Sequence, residues 1–326
     1  MKNLDVISIG ALNCDIIAFV SKFPEAEEKI NSTQYREYGA AGVAVDCLTQ
    51  ANRLGLRCGH IGKLGDDYYG KQVAQSLEAE HIDTSHCVRV AGMRTGIAWV
   101  LVKPENGERC HVIHPATDGG LSWEELEKQK DYLCSARAVH MEMLQMPMEP
   151  LYRAAQVCRE NGVVTSMDID IAPHFLYEYG YATPELFEKT CGQIDLLKLC
   201  SGAVPELSEQ KDPMLAAREI YARLRPTVLI LTLGEQGCVV AWQQNGRTEV
   251  ISVPAFSGEK IVDTTGSGDA FQGGFIYGYL QGYPMKKTAQ LANACGLLAA
   301  TQVGARGSAD WEALNRFMIE RGCGAL

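Results

Sequence analysis

The run Asp263-Thr264-Thr265-Gly266-Ser267-Gly268-Asp269-Ala270-Phe271-Gln272-Gly273-Gly274-Phe275 holds the residue types best suited to chemistry in this chain. After Gly268 the apolar residues Phe271, Phe275, Ile276, Tyr279 and Leu280 fall at helical spacing, which stops at Gly282 and Pro284. A glycine-rich turn therefore opens a helix. At such a junction unpaired backbone N–H groups meet the positive end of the helix dipole, and the small side chains at 266–268 let an anion come close. Asp269 follows at once. A carboxylate beside a bound phosphate is unfavourable unless it has a task, and receiving the proton of an attacking hydroxyl is such a task. The pattern predicts phosphoryl transfer to an alcohol. An acid that merely complements the helix dipole is the alternative.

Spacing removes the competing motifs. A Gly-x-Gly-x-x-Gly fingerprint from Gly266 needs glycine where Phe271 stands, and the two Gly-Lys pairs continue to Leu64 and Gln72, so neither is a Walker loop. Asp168-Ile169-Asp170 begins like a calcium loop, but Ala172 and Pro173 stand where a ligand and a glycine are needed. There is no His-Glu-x-x-His.

These residues need a scaffold, and the apolar runs supply one. Val6–Ile9, His60–Leu64, Ala138–Met141, Val163–Met167, Leu196–Leu199 and Val228–Leu233 read as short buried strands, with helical patterns such as Ala44–Leu54, Leu151–Glu160 and Met214–Leu224 between several of them. Alternation of this kind predicts a mainly parallel sheet in a three-layer α/β/α sandwich. Ile30–Tyr38 is extended and polar, and Gly96–Ile113 reads as a hairpin about Pro104-Glu105-Asn106-Gly107. Together they suggest a small separate sheet. In an open α/β fold ligands bind beyond the carboxyl ends of the strands, so such a sheet would act as a lid; a surface hairpin without function is the alternative.

The 326 residues carry a formal charge of −10, with 46% apolar and 21% charged residues. An acidic chain without Lys/Arg clusters disfavours nucleic acid and anionic membranes as partners and favours a small molecule. The 12 cysteines are scattered without a Cys-x-x-Cys pair and read as reduced thiols. The amino terminus does not follow the plan of a secretory signal and no apolar run could span a membrane, so a cytoplasmic location is expected.

The stretch from Asp263 to Asp269, with Ala270-Phe271 and the next two glycines, resembles the carboxy-terminal signature of ribokinase-like carbohydrate kinases of the phosphofructokinase-B type. Gly10 with Asn13-Cys14-Asp15, Gly39-Ala40-Ala41-Gly42 before a helix ending at Arg53-Leu54-Gly55, Gly62 to Gly70, and Thr232-Leu233-Gly234-Glu235-Gln236-Gly237 resemble further family segments, in family order over essentially the whole chain. The resemblance implies one ribokinase-like domain over 1–326, with a β lid from about 13–38 and 95–114. It implies transfer of the γ-phosphate of ATP to a hydroxyl of a sugar or sugar-like molecule. Asp269 would be the base, and Gly266, Ser267 and Gly268 the anion hole. Asn13, Asp15, Gly39, Ala40 and Ala44 would stand on the substrate side, joined by Arg94 if the sugar is acidic. Thr232, Gly234, Gly237, Thr264 and Asn293 would border the nucleotide, and Glu206 would help organise Mg²⁺. A monovalent cation and a homodimer through the lid are compatible with the family.

The chain departs from the family pattern where Ala40 replaces a glycine, Ala44 and Ala203 replace asparagines, and Asp170 stands where many relatives place an asparagine. A methyl group at 44 makes no hydrogen bond, so the contact it would have made is absent or comes from another group; Glu142, Asp168, Asp170, His174, His111 and His114 are candidates. A nucleoside kinase, with Trp99 or Tyr35 stacking on a base, and a catalytically silent ligand-binding relative are the alternatives.

Overall fold

Strands that are apolar on both faces must lie between two helical layers, and the chain folds accordingly. The computed structural model describes residues 3–105, 107–116 and 120–326, the side chains of Tyr38, Ala40 and Ala41 excepted. The main sheet pairs β1 (Leu4–Ile9), β4 (Cys58–Ile61), β9 (Ala136–Glu142), β10 (Val164–Ile169), β11 (Leu196–Cys200) and β12 (Val228–Thr232) in parallel, and adds β13 (Cys238–Gln244) and β14 (Arg247–Val253) antiparallel at one edge. The order is β14-β13-β12-β11-β10-β9-β1-β4. A second sheet of order β3-β2-β7-β8 is built from β2 (Asn13–Phe19), β3 (Gln34–Ala41), β7 (Gly96–Val102) and β8 (Arg109–His114). The expected hairpin is β7–β8; Asn106 of its turn lies outside the described residues. The run read as one strand over His60–Leu64 is two, because the chain leaves the main sheet at Gly62 and β5 (Lys63–Gly65) pairs instead with β6 (Val88–Val90).

One face of the main sheet is covered by α1 (Val43–Arg53), α10 (Ser267–Leu280), α11 (Met285–Ala300) and α12 (Trp311–Glu320). The other face carries α3 (Trp123–Glu127), α4 (Lys130–Cys134), α5 (Met148–Glu160), α7 (Pro184–Cys191) and α9 (Pro213–Leu224), with the short α6 (Pro173–Glu178) and α8 (Val204–Leu207) between strands. Helix α2 (Tyr68–Ala79) packs on the second sheet. Among the described residues no helix is long and apolar enough to cross a membrane.

Helix α10 carries Asp269, and its burial is what positions that residue. Every residue from Asp269 to Gly278 is buried, because α10 runs between α1 and α11. Mid-helix glycine ordinarily costs about 1 kcal/mol relative to alanine. Here Gly273 permits the approach: a Cβ at this position would lie 2.4 Å from the Cys47 carbonyl oxygen on α1. Beneath α10 a polar row crosses four strands of the sheet. His60 Nδ1 lies 2.7 Å from Ser8 Oγ, His140 Nδ1 lies 3.0 Å from Ser166 Oγ, and Gln272 Nε2 donates to that same Ser166 oxygen at 2.8 Å. Burial holds both histidines neutral, at about 3.

Gly273→Ala is therefore expected to lower stability by about 1–3 kcal/mol through overpacking, the reverse of the usual helix gain. Urea unfolding checks the sign; a variant as stable as the wild type would refute the close-crossing argument.

Candidate active site

The sheet order reverses between β1 and β9: from β1 the next core strand lies on one side, and β9 to β12 follow on the other. Loops leaving two such strands diverge and open a crevice. A cleft of about 370 Å³ lies there, lined by Asn13 and Asp15 after β1, Gly42 and Asp46 at α1, Leu144 and Gln145 after β9, Asp170, Lys198 and Thr232 at later strand ends, and the turn from Thr264 to Asp269. Ala98, Arg109, His111 and Ile113 of the second sheet also line it.

The turn is pinned from within by Asp263. Its fully buried carboxylate accepts from the Thr265 N–H at 2.9 Å and the Thr265 hydroxyl at 2.6 Å through one oxygen, and from the Gly304 N–H at 2.9 Å through the other. Gly266 adopts φ +75°, and a Cβ there would lie 1.9 Å from the Ala305 carbonyl oxygen, so only glycine fits. The Ser267 N–H turns back to the Thr264 carbonyl at 3.2 Å, so of the three expected anion donors it is already engaged. The N–H groups of Gly266 and Gly268 have no partner among the described residues. Thr264 accepts through its hydroxyl from Arg109, which ties β8 to the turn.

Beside Gly268 stands a group that the sequence reading passed over. Lys198, 1% exposed in β11, donates to Asp168 at 2.5 Å and to Asp170 at 3.0 Å. Its ammonium would lie 3.1 Å from a Cβ at Gly268. Burial opposes the charge, but Asp168, Asp170 and Asp269 outweigh it and keep the lysine protonated. Burial also works against the Asp170 carboxylate, where Lys198 overrides it and holds the group below the usual range. Asp269 is pushed well above that range, by burial and then by Asp170, Asp46 and Asp168. A lysine inside the apolar run Leu196-Leu197-Lys198-Leu199 was the available signal: a buried lysine must have acidic partners.

Asn13, Asp15, Thr232, Thr264, Gly266, Gly268 and Asp269 of the predicted set meet in the cleft. Burial raises Asp15 to about 7. The other predicted residues lie elsewhere. Gly39 packs on α2, where a Cβ would lie 2.7 Å from the Gln72 carbonyl oxygen; the Ala40 side chain is outside the described residues. Ala44 is fully buried against Glu142, whose oxygens accept from the N–H groups of Ala11 at 2.9 Å and Ala44 at 3.2 Å. Arg94 is exposed between β6 and β7. Gly234 and Gly237 shape a tight loop after β12, and Asn293 donates to the carbonyls of Val253 and Pro254, both at 3.1 Å, as a brace rather than a surface group. Glu206 is held by the His174 N–H at 2.9 Å and by its ring, outside the cleft lining.

An acid whose folded pKa lies above its unfolded one takes up a proton on folding, and it destabilises progressively as pH rises between the two values. For Asp15 that window runs from the ordinary carboxylate range, about 4, to about 7. Asp15→Asn should therefore gain melting temperature relative to the wild type across this window and hold the gain above it. A difference that shrinks with rising pH would contradict the raised pKa.

Comparison with known proteins follows the same geometry. A family model described as pfkB family carbohydrate kinase matches residues 3–312. The chain is 27% identical over 310 residues to a ribokinase of Mus musculus, covering 93% of this chain and 90% of that one. It is 25% identical over 325 residues to a nucleoside kinase of Methanothermobacter thermautotrophicus, covering 98% of both. It superposes on the structure of Arabidopsis thaliana ribokinase complexed with ribose and ATP with a TM-score of 0.78 at 19% identity, over 97% of this chain and 98% of that one. With a family model matching nearly the whole chain and carbohydrate and nucleoside kinases among its relatives, the outcome is plain: the chain belongs to the pfkB family of carbohydrate kinases and is a kinase.

Proposed function

We propose that this kinase moves the γ-phosphoryl group of ATP to a hydroxyl of a sugar or sugar-like polyol, with Asp269 as the base. The observation that carries the reading is the placement of Asp269: a buried carboxylate with one oxygen unpartnered among the described residues, in the same cleft as Asn13 and Asp15 on one side and the Gly266–Gly268 turn on the other. An aspartate of ordinary pKa accepts an alcohol proton only late, as the phosphoryl becomes bonded. Burial and the neighbouring acids strengthen Asp269 as an acceptor. The N–H groups of Gly266 and Gly268, the dipole of α10 and the Lys198 ammonium then face the charge that develops on the phosphoryl oxygens. The nucleotide would run from this turn past Thr232 towards the loop at Gly234–Gly237, and the second sheet would close over the sugar through the Arg109–Thr264 contact.

The donor set fits the magnesium that accompanies ATP. Asp168, Asp170 and Asp269 offer carboxylate oxygens within 4.8 Å of one another, and an oxygen each of Asp168 and Asp269 has no partner among the described residues. Hard oxygen ligands suit Mg²⁺, and Asp168 and Asp170 would carry the role expected of Glu206, leaving Asp269 to take the proton. When bound, the ion supplies positive charge to the phosphates. The sugar reading is favoured over a nucleoside because Phe, Tyr and Trp are absent from the cleft lining among the described residues; Trp99 and Tyr35 lie outside it.

ATP-to-ADP turnover against pooled sugars, sugar acids, polyols and nucleosides tests the reading directly. Asp269→Asn should lower kcat by about 10²–10⁴ while raising the melting temperature at neutral pH, since it removes a buried, repelled acid. Turnover near that of the wild type would remove Asp269 from its role. Lys198→Met should shift the acidic limb of the kcat profile to higher pH, because the ammonium that lowers the Asp269 pKa is gone; a limb that stays in place would separate Lys198 from the base.

A further inference from the structure

We infer that Asp46 binds a hydroxyl of the sugar and sets specificity there, supplying the hydrogen bond that Ala44 cannot make. The inference rests on the reading of the cleft as a sugar-kinase site.

Position 44 offers nothing to a ligand. Ala44 is fully buried, its Cβ lying 2.6 Å from where a Gly10 Cβ would be, and its N–H is taken by Glu142. Two residues on, still in the first turns of α1, Asp46 lines the cleft. It is 4% exposed. One carboxylate oxygen accepts from the Gly42 N–H at 3.3 Å; the other is buried and has no partner among the described residues. A buried acceptor left unpaired carries a desolvation penalty, and a bound hydroxyl would relieve it. The neighbouring unpartnered atoms on the cleft wall, Asn13 Oδ1 and Gln145 Oε1, are acceptors as well. Such a wall takes donors. A hydroxyl donates, whereas an ionised ligand carboxylate has no proton to give Asn13 Oδ1 or Gln145 Oε1. The Arg306 guanidinium acts on both Asp46 and Asp15 and limits their repulsion. Hence the chain has moved the substrate-reading group along α1 and changed an amide, which donates and accepts, for an acceptor.

The competing account gives Asp46 only the task of holding the Gly42 N–H. Asp46→Asn keeps an acceptor for the Gly42 N–H but puts an amide NH₂, a donor, where the unpartnered oxygen stood, which separates the two. The experiment begins with the sugar that the wild type turns over best in the pooled assay and continues with its monodeoxy analogues, in the wild type, Asp46→Asn and Asp46→Ala. The expected result is a rise of about 10- to 100-fold in the sugar KM of both variants with the ATP KM unchanged, and one deoxy analogue that loses affinity in the wild type but not in Asp46→Ala. Unchanged sugar KM in Asp46→Asn, or every deoxy analogue losing equally in wild type and variants, would overturn the inference while leaving the kinase intact. Wild-type turnover of nucleosides alone would overturn the sugar reading, and the same comparison on deoxynucleosides would then decide Asp46. No turnover in any pool would overturn both.

Discussion

The site is organised around one buried ammonium. Five carboxylates, those of Asp15, Asp46, Asp168, Asp170 and Asp269, converge on the cleft or just beneath it, and Lys198 is the group that makes their proximity tolerable from the sheet side. One partner, Asp168, lies on β10, the strand paired in parallel with its own, directly opposite Lys198 in register, and the other, Asp170, follows the end of that strand. The Asp168–Lys198 pair is therefore set by strand pairing and not by a loop, and the cleft wall built on it inherits that rigidity. Charge arranged in advance in a dry site does not have to reorganise during reaction, which is the larger part of what such sites contribute.

The second constraint is the depth at which α10 lies. A helix buried on all sides can end its first turn in only one place, so the glycine turn and Asp269 are delivered together, with Asp263 clamping the turn to the segment that follows α11. Among the described residues, the second sheet is hydrogen-bonded to the turn through Arg109 and Thr264 alone. A displacement of the second sheet would for that reason pull on the turn, since the same threonine belongs to both.

The sandwich was legible because apolar strands and helical periodicities alternate along the chain, and the turn before α10 was legible because glycine and aspartate have few reasons to stand in that spacing. Other parts were not. Gly62 splits one apolar run between two sheets, a consequence of where the crowded ends of β1 and β4 send the chain, which no local pattern encodes. Asn293 is expected from the sequence to border the nucleotide, yet its amide braces the end of β14, 40 positions away in sequence. Lys198 and Asp46 were hidden for the opposite reason: each sits in an ordinary stretch of strand or helix, and only the assembled fold gives them a common cleft.

The polar row beneath α10 has a consequence for how the chain finds its register. His60 and His140 flank Ser8, and His140 stands opposite Ser166, each as an in-register neighbour on adjacent strands. Parallel strands made of valine, leucine and isoleucine are nearly interchangeable, and a slip by one residue turns every side chain to the other face. Any slip here would strand an imidazole or a hydroxyl against hydrocarbon with its partner facing away. The row thus works as a key cut into four otherwise similar strands, β4, β1, β9 and β10, penalising sheets in which any of the four is misaligned with its neighbour.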